Sequence, residues 1–466
     1  MSNGGLETAR PPSRSRGLKL AIDGEAIGVL VLAAAIPFLF LHEKYQPDLS
    51  IGVGSTTVDL RLSDAAALAV VVAALVAGLR SGFGRLQAGR GLWILGALLL
   101  VWVAFETVRP VSIDDDLFAD HLVSAFKLGE YALLALALPL LVRRLDDLAI
   151  LLGALVLWGA LASAVALAQF FGLDVFDAWR AGWRQPSFLG HHDFAALSAV
   201  ATSFAAAAIV SDRRRMPAGA LFALALAAGV LGLVIAGSVT AAAGLALGAF
   251  VLAIAARRRF HPSGRRLLAL TAVVLVVAGG VAAVRGDSLA DFMRFLGVRG
   301  NEPPQGVESY SQRTVLAYIG LRIFADHPVL GVGWQRSDRP EVFDPYLADA
   351  HKRFPDVVEL AFPSAEHPWG VQNLYIQMLA DAGVIGLALL IAVGAAGLIL
   401  AWRTAKYAST PWAIGAGLVP LCGLLTLAGV WASLGIVAGI PLQATMSLLL
   451  GLGAAGAATV EDETSG

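Results

Sequence analysis

The stretch Leu267-Leu-Ala-Leu-Thr-Ala-Val-Val-Leu-Val-Val-Ala-Gly-Gly-Val-Ala-Ala-Val284 lies between Arg265-Arg266 and Arg285 and holds no ionisable side chain. As a helix rising about 1.5 Å per residue it approaches the roughly 30 Å hydrocarbon thickness of a bilayer. A helix also satisfies its own backbone polar groups, which lipid cannot do for it. Comparable runs recur near 25–42, 64–79, 91–108, 128–142, 148–170, 193–210, 218–236, 239–256, 383–402, 412–432 and 434–456. Composition agrees: 57% of residues are hydrophobic and 15% charged, against about 25% charged in soluble domains. The mean hydropathy is +0.72. The expected fold is an all-α integral membrane protein with about twelve transmembrane helices and one large, partly helical extracytoplasmic loop.

Charge sets the expected orientation. With the N-terminus inside, the short cytoplasmic segments hold Arg80, Arg85 and Arg90, then Arg143 and Arg144, Arg213 to Arg215, Arg257 to Arg259, Arg265 and Arg266, and Arg403 and Lys406. Together with Arg10, Arg14, Arg16 and Lys19 these make 19 of the 34 Lys and Arg residues, whereas the short outer loops carry six and the long loop nine. Positive charge is retained on the cytoplasmic side of short loops, and long translocated segments escape that rule. The resulting division is a cytoplasmic tail 1–24, nine spans in 25–284, an extracytoplasmic loop domain 285–382, three spans in 383–456 and a cytoplasmic tail 457–466. The first apolar run lacks a convincing small-residue cleavage site, so the tail is expected to be retained. Cys422, the single cysteine, excludes an internal disulfide framework and a cysteine metal cluster.

Ionisable and aromatic residues collect on the outer side in three places. The first runs from Trp179 through Arg180, Trp183 and Arg184 to Gly190-His-His-Asp193. The tryptophans and Arg180 fit an interfacial belt with snorkelling arginines. Asp193 fits a helix N-cap. His191 and His192 are adjacent, so their side chains are expected to diverge on a helix, and no metal site is expected. The second runs from Ser311 to Asp326 as a helix and turns through His327 to Gly333. Arg313 and Arg322, nine residues apart, are expected on opposite sides of it, one toward a site and one toward solvent. The third runs from Pro363 through Glu366, His367, Trp369, Gln372, Asn373, Tyr375 and Gln377 into the tenth span. Across the whole loop 285–382 the interleaved Phe, Trp, Tyr and Leu residues favour a packed cap over disorder.

Arg313 followed by Asp326-His-Pro-Val-Leu-Gly-Val-Gly333, and then Gln372-Asn-Leu-Tyr-Ile-Gln-Met-Leu-Ala-Asp-Ala-Gly-Val-Ile-Gly386, resembles the pattern of the bacterial O-antigen ligase and polymerase family of membrane glycosyltransferases. Phe188-Leu-Gly-His-His-Asp-Phe-Ala-Ala-Leu197 supports it, and the similarity covers roughly residues 180–400. The resemblance implies a bacterial cytoplasmic membrane enzyme of cell-surface polysaccharide biosynthesis. Such an enzyme takes glycan from an undecaprenyl-diphosphate carrier at the outer face and joins it to a glycan or lipid-glycan acceptor. Membrane lipids and envelope polysaccharide assembly proteins are the other implied partners; no nucleic acid, cofactor or metal is.

Arginine suits a diphosphate leaving group because its planar fork of donors matches phosphate oxygens. Arg313 matches the family's loop arginine and Arg184 stands just ahead of the Gly190 motif. Gln372, Asn373, Tyr375 and Trp369 are the expected glycan or acceptor contacts. The chain departs from the pattern twice. Gln372 occupies the position where ligases carry a histidine, which leaves His367 or Glu366 as the expected general base. Ser238-Val239-Thr240 lacks the arginine of the family's Ser-Arg step. The alternative readings are a secondary transporter or flippase of a lipid-linked or small substrate, and a non-catalytic envelope-assembly scaffold. Transporters set ionisable groups inside their spans near the midplane, whereas here polar density lies in the outer loops.

Overall fold

The computed structural model describes residues 26–47, 49–53, 56–109, 118–211, 219–295, 309–435 and 441–465. The N-terminal tail, Asp114 to Asp116, Arg213 to Arg215 and Pro303-Pro304 lie outside the described residues.

The chain folds as α1 (Ala26–Leu39), a hairpin of β1 (Leu49–Val53) and β2 (Thr56–Leu60), then α2 (Leu62–Ser81), α3 (Arg90–Val108), α4 (Phe118–Leu141), α5 (Leu145–Phe170), α6 (His191–Ser211), α7 (Ala220–Ala236), α8 (Val239–Phe260) and α9 (Gly264–Val284). A cap follows as α10 (Gly286–Phe295), α11 (Ser309–Asp326) and α12 (Pro340–Arg353). The chain ends with α13 (Leu374–Tyr407), α14 (Pro411–Trp431) and α15 (Pro441–Ser465). Among the described residues each apolar run overlaps one helix, the last run, 434–456, from Pro441 onward. Among the described residues ten helices are long and apolar enough to span a bilayer; α1 and α7 are apolar but shorter. The protein is an all-α integral membrane protein. The hairpin, with Leu49 opposite Leu60, is an addition that helical periodicity does not announce.

Helix starts follow local chemistry. The Asp147 carboxylate accepts from the backbone N–H groups of Arg143 and Arg144 at the start of α5. Ser238 caps α8 by accepting from the Ala241 N–H at 3.2 Å. Side chains that accept from otherwise unpaired first-turn N–H groups stabilise helix ends by about 1 kcal/mol each.

The centre of the bundle is α6, α14 and α15, which are almost wholly buried, while α9 and α3 lie at the periphery. Small side chains make that centre possible. A Cβ on Gly244 or Gly248 of α8 would lie 2.7 Å from the Thr426 or Cys422 carbonyl oxygen of α14. Close backbone approach of this kind replaces the hydrophobic driving force that helices lack in lipid.

Gly244→Ala and Gly279→Ala are therefore expected to act in opposite directions. Both gain helix propensity of about 1 kcal/mol, but a Cβ at Gly279 meets nothing within 4 Å whereas one at Gly244 forces α8 from α14. Thermal unfolding in detergent should show a lowered midpoint for the first and an unchanged or raised one for the second; equal midpoints would refute the close-packing account.

Candidate functional site

The cap has its own small core of Val315, Ile319, Ile323, Phe343 and Phe362, so it is a packed layer. Tyr346 of α12 donates to the Asp326 carboxylate at the end of α11, at 2.8 Å. Burial and that bond push its hydroxyl up to about 12.

The cap is fastened to the bundle at a break in α13. Gly383 has φ 64° and ψ −170° inside the helix, and the turn after α11 fills the gap. Val332 and Gly333 N–H donate to the Ala380 and Asp381 carbonyls at 2.9 and 2.8 Å, and Val384 N–H donates to the Pro328 carbonyl at 2.9 Å. The Asp381 carboxylate accepts from Ser337 N–H at 2.9 Å. From α3, Trp102 Nε1 donates to the Ala382 carbonyl at 3.0 Å and Arg109 to that of Gly331 at 2.9 Å. A Cβ on Gly383 would lie 2.1 Å from the Val329 oxygen. The two stretches of the family pattern are thus the two halves of one joint.

That joint sets α11 so that Arg313 reaches a cleft between cap and bundle. The cleft is lined by Arg184, His191, His192, Gly237, Ser238, Val239, Thr240, Arg285, Tyr310, Arg313 and Ser433, and its space, open to solvent, is about 260 Å³. Arg313 Nε donates to Gln372 Oε1 at 3.0 Å, and its Nη2 lies 3.5 Å from His192 Nε2. Arg184 lies over the Trp179 ring at 4.5 Å and Arg285 over Tyr310 at 5.1 Å. Thr240 and Ser433 hydroxyls meet at 2.8 Å. Among the described residues the lining brings three guanidiniums together and includes no carboxylate. Such a concentration of one sign favours an anion.

The expected residues divide accordingly. Arg313 and Arg184 line the cleft, and Gln372 is attached to it through Arg313. Arg322 faces away, 3.4 Å from Asp349. Asn373 is the N-cap of α13, accepting from Tyr375 and Ile376 N–H at 3.1 Å and donating to the Ala432 carbonyl at 2.9 Å. Tyr375 donates to the Ala428 carbonyl at 2.8 Å; both residues tie α13 to the end of α14. Glu366, His367 and Trp369 are exposed on a turn outside the cleft lining, where His367 and Trp369 stack at 5.8 Å. Bonds from its own N–H and the Ser364 hydroxyl hold the Glu366 carboxyl below the usual carboxylate range.

Two local expectations are corrected. Asp193 is not the cap of α6, which starts at His191; its carboxylate instead accepts from Leu442 N–H at 3.0 Å and ties α6 to the start of α15. His191 and His192 do not diverge: their ring centroids are 3.9 Å apart and both line the cleft. Sequence reasoning also missed Arg285, Tyr310 and Ser433. The signal for Arg285 was its place as the first cation after the opening apolar run.

The family model described as O-antigen ligase matches residues 220–391, from α7 through the cap to the middle of α13. Residues 220–391 form an O-antigen ligase family domain. It carries an O-antigen ligase/polymerase-like, glycosyltransferase-like role in polysaccharide assembly. No curated protein matches the chain. The matched domain supplies Arg285, Tyr310 and Arg313, while α6 and the segment before it supply Arg184 and the histidines from outside the match. A second, apolar groove between α2, α3 and α4, lined by Leu68, Leu100, Phe126 and Leu133 among others, uses helices other than those of the cleft.

Gly383→Ala is expected to loosen the joint. The backbone conformation alone costs a non-glycine residue on the order of 1–3 kcal/mol, before the collision with Val329. Hydrogen exchange should accelerate at the Val332 and Gly333 amides while α6 stays protected; unchanged exchange at those two amides would refute the role given to the joint.

Proposed function

We propose that the protein transfers or polymerises glycan from an undecaprenyl-diphosphate carrier at the outer face of the bacterial cytoplasmic membrane, with both termini cytoplasmic. The observation that carries the reading is the cleft at the junction of cap and bundle, lined by Arg184, Arg285 and Arg313. In the reaction an acceptor hydroxyl oxygen attacks the anomeric carbon and its proton passes to a base. The bond from that carbon to the diphosphate oxygen breaks, and its electron pair leaves with the diphosphate. Negative charge therefore grows on the leaving group, and fixed donors aimed at it lower the barrier.

Arg313 and Arg184 hold the diphosphate in this reading. Gln372 keeps Arg313 extended, and as an amide it does so without neutralising it. Asn373 and Tyr375 set the position of Gln372 through α13, and the exposed Trp369 offers a ring to the glycan at the rim. The base is the His191–His192 pair, since both rings line the cleft and His192 Nε2 lies 3.5 Å from Arg313 Nη2. His367 and Glu366 lie on a turn outside the cleft lining. Loop 285–382 is the catalytic cap, and the spans on either side are its membrane anchor.

Proteoliposomes given undecaprenyl-diphosphate-linked oligosaccharide and acceptor should release lipid diphosphate as glycan grows. Arg313→Ala should reduce release on the order of 100-fold or more, and His192→Ala by about 10² to 10⁴. Glu366→Gln should leave release within about twofold, as expected of a group that takes no proton in the transfer. Lipid-linked glycan crossing to the opposite leaflet without diphosphate release would replace the transferase reading with transport.

A further inference from the structure

We infer that Arg285 is a third ligand of the leaving diphosphate, delivered from the end of α9 to the place where Ser238-Val239-Thr240 has no cation. The inference rests on the transferase reading. Arg285 follows the last residue of an apolar span, where an arginine ordinarily extends its head to water. Here it turns inward and is 5% exposed. Its Nε is buried without a hydrogen-bond acceptor, and no carboxylate pairs with it among the described residues. A buried guanidinium donor left without an acceptor costs free energy unless a ligand supplies one.

The fold makes room for this side chain. Gly237 ends α7 at φ 62°, and a Cβ there would fall 3.3 Å from Arg285 Cδ and 2.8 Å from Arg184 Cβ. Glycine at 237 therefore lets two arginines approach the cleft from different elements. Tyr310 supports the far face of the Arg285 guanidinium at 5.1 Å. Val239, the first residue of α8, lines the same cleft without charge. A guanidinium placed at 239 would enter the cleft that Arg285 now enters.

Chemistry gives the third cation a task. When the anomeric bond breaks, the electron pair adds one unit of charge to a group that already carries a diphosphate's charge. Arg313 and Arg184 meet that group from α11 and from the segment before α6, and Arg285 meets it from α9. A donor that binds the departing charge more strongly than the bound substrate speeds the chemical step as well as binding.

The test uses the full chain in proteoliposomes with undecaprenyl-diphosphate-linked oligosaccharide. Arg285→Ala should lower kcat/KM for lipid diphosphate release about 100-fold. Arg285→Lys should recover part of it, because a point charge replaces the fork. The double variant Arg285→Ala, Val239→Arg should recover more than Arg285→Ala alone, which a purely structural arginine would not allow. Inorganic pyrophosphate should raise the thermal midpoint of the purified wild type and of the double variant but not of Arg285→Ala. Full turnover in Arg285→Ala, or a loss that neither Arg285→Lys nor Val239→Arg repairs, would overturn the inference. Arg313→Ala separates this from the broader reading: a severe defect there beside normal Arg285→Ala turnover removes only Arg285, whereas normal turnover in both removes the transferase reading of the cleft.

Discussion

Helix α13 breaks where the cap meets the bundle, and backbone groups freed by such a break must find partners where water is scarce. In this protein the break is Gly383, and the partners come from one turn and one tryptophan. The carbonyls of Ala380, Asp381 and Ala382 accept from Val332, Gly333 and the Trp102 indole, and the Val384 N–H donates to Pro328. Because α11 enters that turn and Gln372 precedes α13, the joint fixes Arg313 relative to Gln372. Without it the cap would be joined to the bundle by its chain connections and looser contacts, and the cleft would have no defined width.

Bringing three guanidiniums into one cleft is unfavourable unless something offsets their repulsion. Uncharged groups among the described residues are part of the answer: the Trp179 ring lies against Arg184, the Tyr310 ring against Arg285, and the Gln372 amide accepts from Arg313. Aromatic faces attract a guanidinium without cancelling its charge, and an amide oxygen accepts a bond without ionising. The arginines are held in place while the field in the cleft stays positive. The apolar groove between α2, α3 and α4 is built the other way, with Arg61 beside Asp64 and Glu130, and so presents mixed charge.

The membrane fold was legible because apolar length is a one-dimensional property. The run 267–284 and its counterparts could be read without knowing any contact, and the pattern at Arg313, His327–Gly333 and Gln372–Gly386 marked the cap joint. The cleft was only half legible. Arg313 stood out because it matches the family's loop arginine and Arg184 because it precedes the Gly190 motif, whereas Arg285 was counted only among the nine cations of the long loop. His191 and His192 were read as diverging by ideal helical geometry, yet residues at a helix's first turn are not confined to the interior pattern, and the rings lie 3.9 Å apart, tilted by 41°. Asp193 was read as a local cap because local bonding is all a sequence displays; its actual partner, Leu442, lies on another helix. His367 and Glu366 attracted attention through proximity in sequence to Gln372, which α13 does not convert into proximity in space.

Glutamine at 372 has a mechanical consequence within the proposed reaction. A histidine there would both hold Arg313 and exchange protons, so that its charge state would alter the grip on the leaving group during the step. The amide at 372 accepts from Arg313 Nε in every protonation state of its surroundings, so positioning and proton uptake fall to different elements. Helix α13 positions the guanidinium, and the start of α6 offers the imidazoles. The 3.5 Å approach of His192 Nε2 to Arg313 then couples the two functions across space: a proton arriving on the imidazole is repelled by the guanidinium and is favoured when the departing diphosphate neutralises that cation. Proton uptake and loss of the leaving group are thereby driven in the same direction, which is the coupling that a concerted transfer to an acceptor hydroxyl requires.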